Sequence, residues 1–209
     1  MHETEPGPDE LAGLLDRLRA GDREVFGALA ARYQPGLHAF ITARLDARLA
    51  ARVDASDVVQ EALLEALTRL PDYLERRPLP FRAWLWKTAY ERLLKVRRHH
   101  ARARRAVDRD VAWPDRSSLL LARLLLAGNR SPSRRLQEQE AAQCVRQALE
   151  QLSEVDREVL LMRNADELSY EEVGCLLDIA PAAARKRYGR ALLRLRQALI
   201  DNGLLEEPS

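Results

Sequence analysis

The sequence predicts an all-α protein of two small helical domains joined by a flexible linker. Ala, Leu, Arg and Glu, which are strong helix formers, dominate its 209 residues, whereas glycine occurs only nine times. Apolar residues recur at the three- and four-residue spacing of one helix face along most of the chain. The alternating pattern of a β-strand is not found in any segment.

Breaks in the apolar pattern divide the chain into four parts. Residues 1–8 are polar and contain two prolines, so we expect them to be disordered. Residues 9–100 form the first helical domain, and residues 134–203 form the second. Between them, residues 101–133 are basic at the start and contain several helix breakers, which is typical of a linker.

Proline positions set the expected helix boundaries of the first domain. Pro35 is expected to begin a third helix, because proline is favoured in a first turn. Asp54 is expected to cap the next helix, and Pro71 to stop it. Residues 71–80 contain three prolines and are expected to form a loop, followed by a helix over residues 81–98.

Acidic and basic residues are segregated along the chain, although the net charge is only +2. Residues 54–75 hold six acidic residues and one Arg, whereas residues 81–105 hold nine basic residues and one acidic residue. The same order recurs, with eight acidic residues and two Arg over 150–172 and six basic residues over 185–196. Such segregation predicts an anionic partner and a second, different binding surface.

The sequence offers little for catalysis, metal binding or membrane insertion. It has no glycine-rich phosphate loop, and we expect no cofactor and no metal site. His99 and His100 are adjacent on a basic helix end and would not converge on a metal, while Cys144 and Cys175 are expected to be buried, small apolar residues. No leader and no run of about 20 apolar residues is present, which predicts a soluble cytoplasmic protein without membrane insertion.

Two helices joined by a three-residue turn form the clearest pattern of the second domain. Residues 169–172 (SYEE) are a capping box, and Gly174 supplies the small residue that crossing helices need. The turn over residues 178–180 leads to a long basic helix that begins with Pro181. Together these features predict a helix-turn-helix.

The helix after the turn is expected to have one apolar and one basic face. The apolar stripe, with spacings of four, three, four and four, comprises Ala184, Tyr188, Ala191, Leu195 and Leu199. Guanidinium groups on the other face suit phosphates and the guanine edge. The candidate DNA-contacting residues are Ala182, Arg185, Lys186, Arg187 and Arg190. A solvated surface helix of an unrelated bundle is the alternative.

Two further candidate sites lie in the first domain. An acidic helix start, which the helix dipole alone would favour, occurs at Asp57, Val58, Val59, Gln60 and Glu61. Around residues 71–80, aromatic side chains that can stack on unpaired bases stand among basic ones that can follow a phosphate backbone. These are Tyr73, Arg76, Arg77, Arg82, Trp84 and Lys87. The alternative for the tryptophans is simple burial in a core.

Taken in order, these segments resemble the extracytoplasmic-function sigma factors, the smallest members of the sigma-70 family. Residues 57–61 (DVVQE) are similar to the family's D-[LV]-V-Q-E polymerase-binding motif. Residues 80–85 (PFRAWL) resemble its F-R-A-W-L promoter-melting segment, and residues 168–174 (LSYEEVG) its L-S-Y-E-E-I-A motif before the helix-turn-helix. The resemblance covers about residues 10–100 and 134–200.

The resemblance implies a transcription initiation factor whose partners are core RNA polymerase and promoter DNA, with an anti-sigma factor as a further candidate. The first domain would be sigma region 2, docking through residues 57–61 on the polymerase clamp. Residues 71–80 and the next helix would read and melt the minus-ten element, and helix 181–200 would read the minus-thirty-five element. The polymerase performs the chemistry, so this chain is expected to have no catalytic residues and not to be an enzyme. It is also expected to join the nucleoid when bound to polymerase.

Five positions depart from the family pattern. Asp178 replaces the usual Gly before the turn, where Asp tolerates the left-handed conformation better than most residues. Ala180 removes the usual polar cap, and Ala184 replaces a common Val. In the melting helix, Glu91 replaces a common Asn and Lys95 a common Asp. We expect these changes to alter promoter preference more than the function itself.

Two other classes of protein remain open from the residues alone. A conventional helix-turn-helix regulator would explain residues 134–203 but not the first domain. An enzyme acting on nucleic acid would need convergent carboxylates or histidines near the basic surfaces. Co-purification with core polymerase separates the first interpretation from both alternatives.

Overall fold

The computed structural model describes residues 6–45, 47–77, 79–102 and 144–203, and all regular structure within them is helical. In chain order the helices are α1 (Pro8–Arg19), α2 (Glu24–Thr42), α3 (Ala47–Ala50), α4 (Ala55–Arg76), α5 (Phe81–Arg102), α6 (residues 144–150), α7 (Glu154–Asn164), α8 (Tyr170–Leu177) and α9 (Pro181–Asp201). Residues 1–5 of the segment expected to be disordered, and most of the expected linker, lie outside the described residues. Within the rest of that segment, α1 already begins at Pro8, so the expected disorder does not extend to residue 8. None of the described helices is long and apolar enough to cross a membrane.

The chain divides into two compact units. The N-terminal unit comprises Met1–Thr42 and Arg52–Ala106, and the C-terminal unit comprises Ala43–Ala51 and Val107–Ser209. The short segment Ala43–Ala51, which the sequence placed within the first domain, therefore groups with the second half of the chain.

Two prolines expected at helix boundaries lie inside helices instead. Pro35 lies within α2 and Pro71 within α4, so both boundary predictions were wrong. A proline inside a helix costs about 3 kcal/mol, because it removes a backbone hydrogen bond and crowds the preceding turn. Buried side chains on both sides offset this cost by anchoring the helix to the core. They are Tyr33 and Leu37 in α2, and Leu70, Tyr73 and Leu74 in α4.

The helices flanking the predicted loop are longer than the sequence indicated. Helix α4 continues to Arg76, where Arg77 ends it in a left-handed conformation with φ of 40°. The connection to α5 is therefore residues 77–80 and not residues 71–80. Helix α5 extends to Arg102, four residues beyond the expected end.

The core of the N-terminal unit is built on aromatic side chains between α2 and α5. Trp86 meets the rings of Tyr33 and Phe40 edge-on, at centroid distances of 5.9 and 6.4 Å. Gly36 allows this approach, since a Cβ atom there would lie 3.1 Å from the Trp86 ring. The glycine thus fixes how closely α5 packs on α2.

The core of the C-terminal unit is aliphatic and lies between α6, α7 and α9. Its buried residues are Val145, Ala148, Leu149, Leu152, Leu160, Leu161, Ala191, Leu195, Ala198 and Leu199. The predicted apolar stripe of α9 is confirmed, because Ala184 is also buried and Tyr188 packs against this cluster. The stripe leaves the opposite face of α9 to solvent.

A buried ion triad holds the segment Ala43–Ala51 in the C-terminal unit. The fully buried Arg44 donates from Nε to Glu158 Oε2 at 2.8 Å and from Nη2 to Asp166 Oδ2 at 2.6 Å. Burial by itself would lower the pKa of the Arg44 guanidinium, but Asp166 and Glu158 hold that pKa above its ordinary value. The guanidinium therefore stays charged, although an isolated arginine in the sequence gave no sign of burial.

Candidate nucleic-acid interface

The start of α8 has the capping box that the sequence predicted. Ser169 Oγ accepts a hydrogen bond from the Glu172 backbone N–H at 3.2 Å, and the Ser169 N–H donates to Glu172 Oε2 at 2.7 Å. This reciprocal pair satisfies two backbone donors that a helix start leaves without intrahelical partners. It fixes where the first helix of the helix-turn-helix begins.

The turn between α8 and α9 also has the predicted features. Asp178 adopts the left-handed conformation with φ of 56°. A Cβ atom on Gly174 would lie 2.6 Å from the carbonyl oxygen of Ile179, so only glycine fits there. Ala180 precedes α9 without a side-chain cap, as expected. The two helices are therefore set against each other by backbone contact at Gly174.

The first half of α9 presents an exposed basic face. Ala182, Arg185, Lys186 and Arg190 are exposed, and Arg187 is half-buried. Their spacing brings the four exposed residues to one side of the helix. None of the four basic residues forms an ion pair with a carboxylate in the described part of the chain. This face is thus available to an anionic partner.

One basic residue of this surface, Arg163, was not identified from the sequence. The guanidinium carbon of Arg163, in the last turn of α7, lies 4.4 Å from the Tyr170 ring centroid, and that of Arg185 lies 5.1 Å from it. A basic residue in a last helical turn is ordinarily explained by the helix dipole. The available signal was its position six residues before the capping box.

In the N-terminal unit, the five candidate docking residues separate into two sets. Asp57, Gln60 and Glu61 are exposed on α4. Val58 and Val59 are each 1% exposed and belong to the core, so direct contact between them and a partner is ruled out in this structure. In a helix, the second and third residues of this motif lie on a different side from the first and fourth. The motif alone does not show which side is buried.

The exposed face of α4 continues with apolar residues that the sequence did not single out. Leu64 and Leu67 are 65% and 40% exposed, at helical spacing from Gln60 and Glu61. Their helical spacing could have indicated that they share this face, but the same spacing is also typical of residues buried in a core. Acidic and apolar side chains therefore share one continuous helix face.

The aromatic residues near the α4–α5 connection face inward. Tyr73 stacks on Trp84 with a centroid distance of 4.4 Å and meets Phe81 edge-on at 5.7 Å, and all three are buried. The Tyr73 hydroxyl donates to the Leu79 carbonyl at 3.0 Å. Burial raises the pKa of the Tyr73 phenol, against the opposing charge of Arg77, so this donor stays protonated. The expectation that Tyr73 and Trp84 stack directly on bases is thus corrected: they hold the connection in place.

The basic candidates around this connection differ in exposure. Arg76 is exposed and forms no ion pair with a described carboxylate. Arg77 is exposed and donates to Asp16 Oδ1 at 3.1 Å. Arg82 lies over the Trp86 ring, 5.0 Å from its centroid, and it and Lys87 are half-buried. Positive charge therefore remains accessible on both sides of residues 77–80.

Helices α4 and α5 are joined by ion pairs that include Glu91 and Lys95, the two residues of α5 that depart from the family pattern. Arg92 Nε donates to Glu61 Oε2 at 2.7 Å, and Lys95 Nζ donates to Glu65 Oε1 at 2.9 Å. Arg69 Nη1 donates to Glu91 Oε2 at 3.1 Å. Glu91 and Lys95 thus stabilise the contact between the two helices.

The remaining candidate groups show little convergence. The rings of His99 and His100 lie 5.5 Å apart, and within the described ranges no three His, Cys, Asp or Glu side chains are placed to hold a metal ion. Cys144 and Cys175 are half-buried and not fully buried as expected.

Comparison with known proteins decides the family. The model of sigma-70 region 2 matches residues 29–103, and the model of sigma-70 region 4 matches residues 142–195. The RNA polymerase sigma-H factor of Pseudomonas aeruginosa is 30% identical over 189 residues, which cover 89% of this chain and 92% of that protein. The chain belongs to the sigma-70 family, in its extracytoplasmic-function group.

Other relatives agree with this assignment. The ECF RNA polymerase sigma-E factor of Escherichia coli K12 is 29% identical over 191 residues, or 90% of this sigma factor and 91% of that one. Two solved structures share the fold. CnrH in complex with the cytosolic domain of CnrY has a TM-score of 0.56 at 23% identity, over 90% of this chain and 95% of that one. RpoE of Bartonella quintana in complex with the anti-sigma factor NepR has a TM-score of 0.53 at 19% identity, over 88% and 98%.

The two matched regions contain the candidate surfaces. Region 2 includes the exposed face of α4 and the connection to α5, and region 4 includes α7, α8 and α9 as far as residue 195. This sigma factor is a transcription initiation factor that binds core RNA polymerase and promoter DNA.

Proposed function

We propose that this sigma factor divides its work among three surfaces: α4 for core polymerase, the α4–α5 connection for the minus-ten element, and α9 for the minus-thirty-five element. The observation that supports this most is the exposed basic face of α9, which has no ion pair with a described carboxylate and is set by a helix-turn-helix with its capping box and close turn in place. Polymerase supplies the catalysis, and this chain positions it. We place this work in the cytoplasm, at the nucleoid when polymerase-bound, with an anti-sigma factor as a further candidate partner.

The polymerase surface comprises the exposed residues Asp57, Gln60, Glu61, Leu64 and Leu67 of α4. Apolar side chains surrounded by charged ones are typical of specific protein interfaces, where burial gives affinity and charge guides association. Val58 and Val59 support this surface from the core. The motif of residues 57–61 thus combines contact and support.

The minus-ten surface comprises Arg76, Arg77, Arg82 and Lys87, around residues 77–80. Basic side chains there can follow a single strand, while Tyr73 and Trp84 fix the connection from behind through stacking and the hydrogen bond to Leu79. Strand capture offsets an unstacking cost of roughly a few kcal/mol per base. We expect Tyr73→Phe to impair strand opening, measured by permanganate reactivity, without loss of closed complexes.

Footprinting of one promoter tests the overall function. We expect protection of two separated elements, and new run-off transcripts, only when the chain and core polymerase are mixed. Each DNA surface alone makes few contacts and should bind weakly and with strong salt dependence. Tight, sequence-specific protection by the chain alone, unchanged by polymerase, would instead identify a conventional regulator.

Charge reversal on α4 tests the polymerase surface. We expect Asp57→Arg to weaken binding to core polymerase by about 1 kcal/mol, about fivefold, with slower association, because exposed charges guide encounter. The matched control is Asp72→Arg, an exposed acidic residue of the same helix about 22 Å further along. Equal affinity of the two folded variants would contradict the assignment.

A further inference from the structure

Tyr170 is in contact with two guanidinium groups, at the first position of α8. Arg163 and Arg185 lie over its ring, at 4.4 and 5.1 Å from the centroid. Neither arginine forms an ion pair with a carboxylate in the part of the chain that the structure describes. Because the face of an aromatic ring is negative, it attracts a cation placed over it. The Tyr170 ring is thus the group that holds Arg185.

Arg185 differs in this respect from Lys186 and Arg190, the other exposed cations in the first half of α9. Among the described residues, neither Lys186 nor Arg190 is placed over an aromatic ring. Arg190 makes only a long intrahelical hydrogen bond, 3.4 Å, to the Lys186 carbonyl. A long exposed side chain loses rotamer freedom when it binds, so one that is already oriented binds with a smaller entropic cost. Arg185 is the oriented member of the basic face.

The ring is itself fixed by contacts with all three helices of this region. The capping box fixes the backbone just before it, at Ser169. Arg163 donates from Nη1 to the Leu168 carbonyl, and the Tyr188 ring meets Tyr170 edge-on at 6.0 Å. The Tyr188 hydroxyl in turn donates to Asn164 Oδ1 at 3.1 Å. Tyr170 is therefore a rigid support and not a mobile surface residue.

We infer that Tyr170 is a positioning residue that holds the Arg185 guanidinium toward the upstream promoter element and thereby sets how strongly Arg185 discriminates between bases. The inference rests on the proposed function, because it requires that Arg185 contact promoter DNA. The ring acts on Arg185 through its face, and among the described residues its hydroxyl makes no hydrogen bond.

The test compares Tyr170→Leu with Tyr170→Phe in reconstituted holoenzyme, on a promoter and on its single-base variants at the upstream element. We expect Tyr170→Leu to reduce discrimination about two- to fivefold, which corresponds to about 0.5–1 kcal/mol for a surface cation–π contact. Tyr170→Phe keeps the aromatic face and should keep the discrimination. Arg185→Ala should remove it, and Tyr170→Leu should then have no further effect.

A series of fluorinated phenylalanines at position 170 guards against misfolding of the Leu variant. Fluorination weakens the negative face while leaving ring shape almost unchanged, so discrimination should fall step by step across the series. An equal loss on all promoters, a flat series, or a Tyr170→Leu effect that persists in Arg185→Ala would overturn the inference alone. Unchanged discrimination in Arg185→Ala would overturn the proposed contact of Arg185, and the inference with it.

Discussion

Helices α5 and α9 are both basic, but the two units treat their positive charges differently. Cations of α5 are paired with acidic residues of α4, as in Arg92–Glu61 and Lys95–Glu65. In the C-terminal unit, acidic residues of α7 and the segment after it pair with Arg44 and with Arg194, in the second half of α9. The basic residues in the first half of α9 form no ion pair with a carboxylate that the structure describes. Local charge excess therefore indicates a nucleic-acid surface only after internal ion pairs have been subtracted.

The same comparison separates two uses of a carboxylate. Glu61 is half-exposed and paired with Arg92, so its charge is partly neutralised at the surface of α4. Glu158 and Asp166 lie in the interior, where an unpaired carboxylate is costly. Breaking the interior pairs should therefore affect stability far more than breaking the surface pairs.

The largest expected effect is that of Arg44→Met. The substitution leaves Glu158 and Asp166 buried without their cation and should destabilise the C-terminal unit by about 3–5 kcal/mol. Hydrogen exchange of α7 in urea measures this stability. The control is Arg17→Met in the N-terminal unit, which breaks the exposed pair with Asp22 and should cost no more than about 1 kcal/mol in urea unfolding of that unit. Equal effects of the two substitutions would mean that burial does not distinguish these pairs.

The second expected effect concerns the turn between α8 and α9, which positions the exposed basic residues of α9. Gly174→Ala forces a Cβ atom against the Ile179 carbonyl and should cost about 1–3 kcal/mol. Gly189→Ala is the matched control, because nothing lies within 4 Å of the added Cβ atom in α9. Alanine favours a helix by up to about 1 kcal/mol over glycine, so the control should be stabilising. Thermal unfolding of both variants gives the sign, and a shift in the same direction would contradict the close contact at Gly174.

Local signals predicted most of this turn, because each depends on residues close in sequence. The cap at Asp54, the capping box at Ser169, the left-handed Asp178 and the uncapped Ala180 are all present in the structure. Each involves a hydrogen bond or a backbone conformation within about four residues. Such features are nearly independent of the rest of the fold.

Signals that depend on distant packing failed. Pro35 and Pro71 are local signals of a helix boundary, but core burial on both sides of each overrides them. Tyr73 and Trp84 have the composition of a base-stacking surface, yet they stack on each other, since the sequence does not show which helix face is buried. The ion triad of Arg44 joins residues more than 100 positions apart and left no local pattern.

The third expected effect compares Arg190, which has no ion pair with a described carboxylate, with Arg92, which is paired. Arg190→Ala should weaken promoter binding by the holoenzyme, with a salt slope reduced by about one unit for a phosphate contact or a loss of about 1–3 kcal/mol for a base contact. Stability should stay unchanged. Arg92→Ala removes a cation that is paired with Glu61 and should cost at most about 1 kcal/mol of stability, with an unchanged slope. Salt-dependent binding and urea unfolding of both variants separate these outcomes, and reversed results would show that the paired charge is the one that binds DNA.

The smallest expected effect is a pH dependence of the α4–α5 contact. A hydrogen bond from Lys95 is the main cause that lowers the pKa of the Glu65 carboxyl, with burial opposing it and the charge of Arg69 adding to it. Because the folded pKa lies below the unfolded value of 4.5, this stabilisation is complete at pH values above 4.5 and is lost as the pH falls through the folded value.

Urea unfolding of the N-terminal unit between pH 7 and pH 3 measures the loss, using tryptophan fluorescence. Glu65→Gln should reduce the fall in the free energy of unfolding at acid pH, which is the acid limb of the stability curve. Glu75→Gln should leave this limb intact, because Glu75 is an exposed residue of α4 without an ion pair to a described cation. Identical acid limbs in the Glu65→Gln variant and the parent chain would show that the paired charges of α4 and α5 do not stabilise the fold, and the contrast with α9 would then rest on geometry alone.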